Sequence, residues 1–184
     1  MRMFLALELP STVVDYLTGV MKSLAERVDG VRWVKNEGIH ITTKFLGEVE
    51  ESKITAMHEA LKPLGEMYSP IPAALDKIDA LPNKRRARVI VVTLGQGVEA
   101  MERIFFEVEE RLDAVMEIER EERAYLPHIT LGRRKVPKPF PNGDVPDIQR
   151  KEFMVEHLVL FKSTLTSGGA IYTPLWKIKL GGQG

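Results

Sequence analysis

Two short segments of this chain carry nearly the same residues in the same order, His40-Ile41-Thr42-Thr43 and His128-Ile129-Thr130-Leu131. Each has the form His-x-Thr, and 88 residues separate the two histidines in a chain of 184. An imidazole gives or takes a proton near neutral pH. Two of them are the minimum equipment for metal-free acid–base chemistry on a phosphodiester, one serving the attacking oxygen and one the leaving oxygen. A threonine hydroxyl can donate a hydrogen bond to a non-bridging phosphate oxygen. One imidazole must be neutral and the other protonated for such a pair to work, so the pattern predicts a bell-shaped dependence of rate on pH.

The spacing needs an extended backbone. Side chains of a strand alternate between faces, so His40 and Thr42 point one way and Ile41 and Thr43 the other, and His128 and Thr130 are sorted likewise from Ile129 and Leu131. The β-branched content of both segments favours strands. Further elements must place them. Residues 4–9 read as a strand, and Pro10-Ser11 opens a helix with Ser11 as N-cap. Val13, Leu17, Val20, Leu24 and Val28 give that helix an apolar stripe, and Gly30 ends it. Residues 50–61 read as a second helix. In the second half, residues 88–94 read as a strand, Gly95-Gln96-Gly97 as a turn and residues 98–115 as a helix leading to the second motif. Phe4 precedes His40 by 36 residues and Val89 precedes His128 by 39, so strand, helix and His-x-Thr recur at nearly constant spacing. This is a two-fold internal duplication and not a solenoid, which needs at least three units. Residues 71–78, 153–161 and 171–180 read as further strands. Residues 135–149, with four prolines and Asn142-Gly143, read as a loop.

Composition narrows the function classes. The chain is 44% hydrophobic and 28% charged, which is globular composition. Lys and Arg total 26, as do Asp and Glu, and this zero net charge argues against broad coating of DNA while leaving room for a local basic groove. Cysteine is absent, which removes disulfides, thiolate nucleophiles and Cys-based zinc sites. No His-Glu-x-x-His, phosphate-binding Gly-x-x-x-x-Gly-Lys loop or Gly-x-Ser-x-Gly elbow occurs. The chemistry above needs no metal and no cofactor. The short apolar run at the N-terminus breaks at Glu8 and Pro10, and no stretch approaches a membrane span, so the reading is a soluble cytoplasmic protein. Three Asn and three Gln against abundant charge lean towards a thermophilic source.

Several blocks surround the motifs: FLALELP at 4–10, RWVKNEGIHITTKFLGEV at 32–49, RARVIVVTLG at 86–95, YLPHITLGR at 125–133 and STLTSGGAIYTPL at 163–175. With these the chain resembles the two-histidine phosphoesterases, and among them the LigT-like 2′-5′ RNA ligase branch, understood as RNA 2′,3′-cyclic phosphodiesterases. The resemblance implies an α+β, bilobal fold. Two lobes related by a pseudo-two-fold axis each hold an antiparallel sheet with helices packed on the outside, and the active-site cleft lies between them. It also implies His40 as proton donor to the leaving oxygen, His128 as proton acceptor from water, and Thr42 and Thr130 as phosphate ligands. The implied reaction opens an RNA 2′,3′-cyclic phosphate to a 2′-phosphate, and its reverse would make a 2′-5′ link without ATP. The implied partner is RNA with a 2′,3′-cyclic phosphate end, tRNA halves being one source. No membrane and no protein partner are inferred. No linker divides the chain, so residues 1–184 are taken as a single bilobal phosphodiesterase domain, with repeats around 3–46 and 88–134 and a flexible tail at 181–184.

Other residues carry weaker signals. Lys44 continues the His40–Thr42 face and is read as an RNA-binding phosphate neighbour. Alternation sends Arg134 to the catalytic face, whereas the resemblance points to Arg133; a bulge would reconcile them. Trp33, Phe45 and Tyr125 could stack a base, although alternation puts Phe45 on the core side. The run Lys84-Arg85-Arg86 with Arg88 is either a solvated turn or an RNA-backbone patch. His58 reads as a surface residue of the second helix. His157 shares a face with Phe153, Val155, Val159 and Phe161 and reads as a core histidine. Two other functions stay open beside the phosphodiesterase: an RNA-end-binding protein with incidental activity, and a phosphodiesterase of small cyclic nucleotides. The complete pair of His and Thr residues favours the active enzyme.

Overall fold

The computed structural model describes all residues except Asn142, Asp144, Gln183 and Gly184. In chain order its elements are β1 (Arg2–Leu7), α1 (Ser11–Ala25), β2 (Val31–Trp33), β3 (Ile41–Glu48), α2 (Ile54–Leu61), α3 (Leu64–Met67), β4 (Ile71–Leu81), β5 (Ala87–Gln96), α4 (Val98–Asp113), β6 (His128–Lys138), β7 (Glu152–Val155), β8 (His157–Thr166) and β9 (Gly169–Lys179). The strands form one antiparallel sheet in the order β7-β4-β5-β6-β3-β1-β8-β9, with β2 alongside β6. From the middle outwards the order is β3, β1, β8, β9 on one side and β6, β5, β4, β7 on the other. The two halves of the sheet are the two lobes, and they meet where Ile41 of β3 pairs with Ile129 of β6 and where β2 pairs with β6.

Packing follows the hydrophobic pattern. In β1, Met3, Leu5 and Leu7 face the helices, while Phe4 and Ala6 face the other side with Val159 and Phe161 of β8. The strand is therefore buried on both faces, as its unbroken apolar run requires. Val13, Leu17, Met21 and Leu24 of α1 and Met101, Ile104, Phe105, Val108 and Leu112 of α4 turn their stripes onto the sheet. Pro10, not Ser11, occupies the N-cap of α1, and its carbonyl accepts from the Val13 and Val14 amides. Gly97 precedes α4 at φ +88°, where a Cβ would come within 2.8 Å of the Pro72 carbonyl oxygen, so glycine is needed on both counts.

Three sequence readings change. Residues 153–161 are not one strand: β7 pairs with β4 in one lobe and β8 pairs with β1 in the other, so the chain crosses between lobes at Glu156. Alternation counted across that break misplaced His157. Its ring is part exposed beside Glu8, at 3.7 Å, and does not lie in the core. β6 runs on to Lys138, so the loop begins later than expected, and the Asn142 half of its proposed turn lies outside the described residues. The tail reading extends to Gln183 and Gly184, also outside them, but the Gly181 and Gly182 amides bond to the carbonyls of Gly65 and, for Gly181, Tyr68.

The fourth change bears on the site. Along β3 and β1, Thr42 pairs with Ala6 and Lys44 pairs with Leu5, so Thr43 is an extra residue. Such a bulge reverses the alternation beyond it. Lys44 therefore turns to the helix side, 3% exposed, where its ammonium bonds to the Glu109 carboxylate of α4 and to the Glu119 carbonyl, each at 2.8 Å. Glu109 also accepts from the Glu121 amide. Lys44 is a buried tie between β3, α4 and the segment after α4, so its reading as an RNA-binding residue is withdrawn. Phe45 takes the other face and is 60% exposed, against the core position that simple alternation gave it.

Lys44→Ala leaves Glu109 as an uncompensated buried carboxylate, and denaturant unfolding should show a loss of about 3–5 kcal/mol.

Candidate active site

The register at the lobe junction sets the arrangement. With Ile41 opposite Ile129, antiparallel pairing puts His40 opposite Thr130 and Thr42 opposite His128. Ile41 and Ile129 are fully buried on the helix side. The two histidines and two threonines therefore occupy the opposite face of the sheet, each part exposed. The structure brings together all four residues singled out from the sequence. Each imidazole is a diagonal neighbour of the other across the pair, where Cα separations are about 7–8 Å, a span that side chains of this length can close around a phosphate.

β6 carries a bulge matching that of β3. Thr130 pairs with Val91 and Gly132 with Ile90, so Leu131 is the extra residue. Beyond it Arg133 returns to the cleft face opposite Val89, while Arg134 turns inwards, 6% exposed, and donates to the carbonyls of Asp29 and Lys138. This settles the choice in favour of Arg133. Both bulges sit one residue beyond the motif threonine, so Arg133 and Phe45 are pseudo-two-fold mates. A repeated His-x-Thr alone does not reveal the bulges, because neither Thr43 nor Leu131 has an unusual residue type.

The two imidazoles have different surroundings. His40 lies within an aromatic wall: Phe4 stacks at 5.0 Å between centroids, Phe161 at 5.8 Å, and Tyr172 meets it edge-on at 5.8 Å. Its Nδ1 is buried without a hydrogen-bond partner. Burial, with the Arg133 charge adding to it, lowers the pKa of His40 from 6.5 to about 4. Its ring is thus neutral at neutral pH while the cleft holds no anion. His128 has a polar anchor, Nδ1 lying 2.7 Å from the Leu126 carbonyl oxygen. A carbonyl only accepts, so Nδ1 carries the proton, and in the neutral ring Nε2 is left with the lone pair. The wall of Phe4, Phe161 and Tyr172 was not identified from the sequence, though the unbroken apolar run of β1 signals a strand buried on both faces.

Tyr125 is not a base-stacking residue. Its ring stacks on Phe105 at 4.6 Å and its hydroxyl donates to the Thr42 carbonyl at 2.8 Å. Burial pushes its phenol well above the ordinary tyrosine value, which keeps the hydroxyl a donor. Three residues before His128 and bonded to the backbone of the other motif, Tyr125 latches the two together. Trp33 packs partly into the helix-side core. Lys84–Arg86 form an exposed turn capped by the Asn83 side chain, a placement that both readings of this run share. His58 is at the surface beside Glu59 and Trp176, as expected. No helix among the described residues is long and apolar enough to cross a membrane.

Two lobes, each presenting one imidazole and one threonine hydroxyl to a shared cleft, define a two-histidine phosphoesterase. A family model described as LigT like Phosphoesterase matches residues 7–91. The RNA 2′,3′-cyclic phosphodiesterase of Methanocaldococcus jannaschii is 33% identical, covering 94% of this chain and 96% of that protein. The protein of that name from Methanothermobacter thermautotrophicus is 30% identical, covering 97% and 98%. A crystal structure from Thermus thermophilus superposes with a TM-score of 0.85 over the whole of both chains at 27% identity. E. coli LigT, solved with 3′-AMP, shares the fold with a TM-score of 0.79 over 98% of each chain at 21% identity. The chain belongs to the LigT-like phosphoesterase family.

Two measurements check the geometry. In an NMR titration of the ligand-free protein, His40 should ionise near pH 4, and Arg133→Gln should move it upwards. The unfolded chain binds a proton at position 40 below about pH 6.5 that the folded chain refuses until about 4, so this residue's contribution to stability should fall as pH drops through that window. Tyr125→Phe leaves the Thr42 carbonyl without its donor and should cost about 1–3 kcal/mol of stability, with kcat falling more than KM changes.

Proposed function

We propose that this chain hydrolyses RNA 2′,3′-cyclic phosphate ends to 2′-phosphates by acid–base catalysis between His40 and His128. The observation that carries the reading is the placement of both His–Thr pairs on one face around the Ile41–Ile129 junction. The names of the relatives support it. Thr42 and Thr130 donate to the non-bridging oxygens, and Arg133 offsets their charge. His128 Nε2 takes the proton of the attacking water as the new P–O bond forms. The bond from phosphorus to the 3′ oxygen breaks, and that oxygen takes a proton from His40. The products are a 2′-phosphate and a free 3′-hydroxyl. When an RNA 5′-hydroxyl takes the place of water as the attacking group, the same steps break the bond to the 3′ oxygen and form a 2′-5′ link without ATP. tRNA halves with cyclic ends are a fitting natural source.

The low pKa of His40 has a place in this scheme. Burial chiefly, and Arg133 in addition, keep the ring neutral without ligand, and a phosphate anion beside it opposes both by favouring the imidazolium, the form that donates the proton. Binding itself then readies the acid.

Incubated with EDTA and an oligonucleotide ending in a 2′,3′-cyclic phosphate, the protein should yield the 2′-phosphate. His40→Ala and His128→Ala should each lower turnover by about 10²–10⁴-fold with the fold intact by circular dichroism. A 3′-phosphate product, or a His40 ring that stays near pH 4 when 2′-AMP is bound, would reverse the assignment of donor and acceptor. No turnover at all would leave the RNA-end-binding reading in its place.

A further inference from the structure

Two grooves lie in corresponding positions of the two lobes, beside the face that carries the His–Thr pairs. One, of about 490 Å³, runs from Arg133 and Tyr172 between the segment leading into His40 and the tip of the β8–β9 hairpin. The other, of about 460 Å³, runs from Phe45 along the segment leading into His128. Their positions match because each begins at the residue just beyond a bulge, and each is walled by the chain that approaches the opposite motif.

Their charges do not match. The first groove carries Arg32, Lys35 and Arg133 against Glu37. The second carries Glu117, Glu119, Glu121 and Glu122. Of its cations, Lys44 is bound by Glu109, and Arg120 by Glu110 and Asp113, while Arg123 stands against the four glutamates. In the first groove Arg32 of β2 pairs directly with Arg133 of β6. Two residues directly opposite in an antiparallel pair share a face, and like charges so placed repel. An anion lying across both removes that repulsion. Tyr172 lines the groove and also meets the His40 ring, so the groove is continuous with the site.

We propose that the groove of Arg32 and Lys35 is the track of the polynucleotide leading to the reacting end, and that the glutamate-lined groove turns the strand away. This rests on the reading of the substrate as an RNA end. The cyclic phosphate sits between the histidines, and the phosphates further along the strand pass over Arg32 and Lys35. The catalytic residues alone do not distinguish a cyclic mononucleotide from the end of a strand. The groove does, by adding contacts that only a strand can make.

The test compares kcat/KM at several salt concentrations for a 2′,3′-cyclic mononucleotide and for an oligonucleotide with the same end. The proteins are the parent, Arg32→Gln/Lys35→Gln and Glu121→Gln/Glu122→Gln. The first variant should lose roughly five-fold per cation on the oligonucleotide near 0.1 M salt, with the salt slope smaller by about 0.7 for each contact removed. Its mononucleotide turnover should match the parent's, and the second variant should match the parent on the mononucleotide and equal or exceed it on the oligonucleotide. An oligonucleotide rate unaffected by the first variant overturns the proposal. So does an equal loss on the mononucleotide, or a loss confined to the second variant. Fluorescence anisotropy with an oligonucleotide ending in a 2′-phosphate separates the two levels of inference. Absence of turnover in the parent sinks the enzymatic reading, whereas binding unchanged by Arg32→Gln/Lys35→Gln sinks the groove.

Discussion

Among the described residues, β3 and β6 share a ladder at one register position, Ile41 with Ile129, and that position decides what the cleft can hold. A shift of one residue would turn one motif's imidazole and hydroxyl into the core and its isoleucine into the cleft. The burial of both isoleucines fixes the register against such a slip. The ladder is short because each strand bulges just beyond its motif, at Thr43 and at Leu131. β2 adds three further pairs to β6, Val31 with Arg134, Arg32 with Arg133 and Trp33 with Gly132. Lys44, its Glu109 and Glu119 partners, and the Tyr125 hydroxyl on Thr42 brace the junction from the helix side.

A symmetric backbone carries an asymmetric pair of imidazoles. Acid–base catalysis at one pH needs the two to differ, and the difference comes from what surrounds each motif. Burial against the aromatic wall of Phe4, Phe161 and Tyr172, with the Arg133 charge adding to it, lowers the pKa of His40. The Leu126 carbonyl makes His128 a ring of fixed tautomer. The position beyond each bulge completes the division, with Arg133 on one side and Phe45 on the other.

The motif pairs, the strand–helix–strand order of each half and the apolar stripes of α1 and α4 were legible in the sequence, because side-chain period reports local structure directly. What period cannot report is a change of phase. Lys44, Phe45 and the choice between Arg133 and Arg134 all turned on a bulge, where one extra residue exchanges the faces of everything after it. His157 was misplaced for a related reason, since alternation was carried through Glu156 into a strand of the other lobe. The Tyr125 latch joins positions 83 residues apart and left no local signature.

That crossing at Glu156 has a consequence for how the molecule is made. β1 lies between β3 and β8, and β8 and β9 come from the last part of the chain. The lobe of β1 and β3 therefore cannot close its sheet until β8 and β9, which follow the whole of the other lobe, have been made. The other lobe, β4 to β7, is contiguous in sequence and takes its outside strand pairings from β2 and β3, which are made before it. During synthesis the later-made lobe is the first that can be completed, while β1 waits with an apolar edge unpaired. Pairing of such separated strands is slow, and an uncovered strand edge is open to association with other chains in the interval. The interlock that joins β1 to β8 thus also leaves one edge of β1 unpaired until β8 has been made.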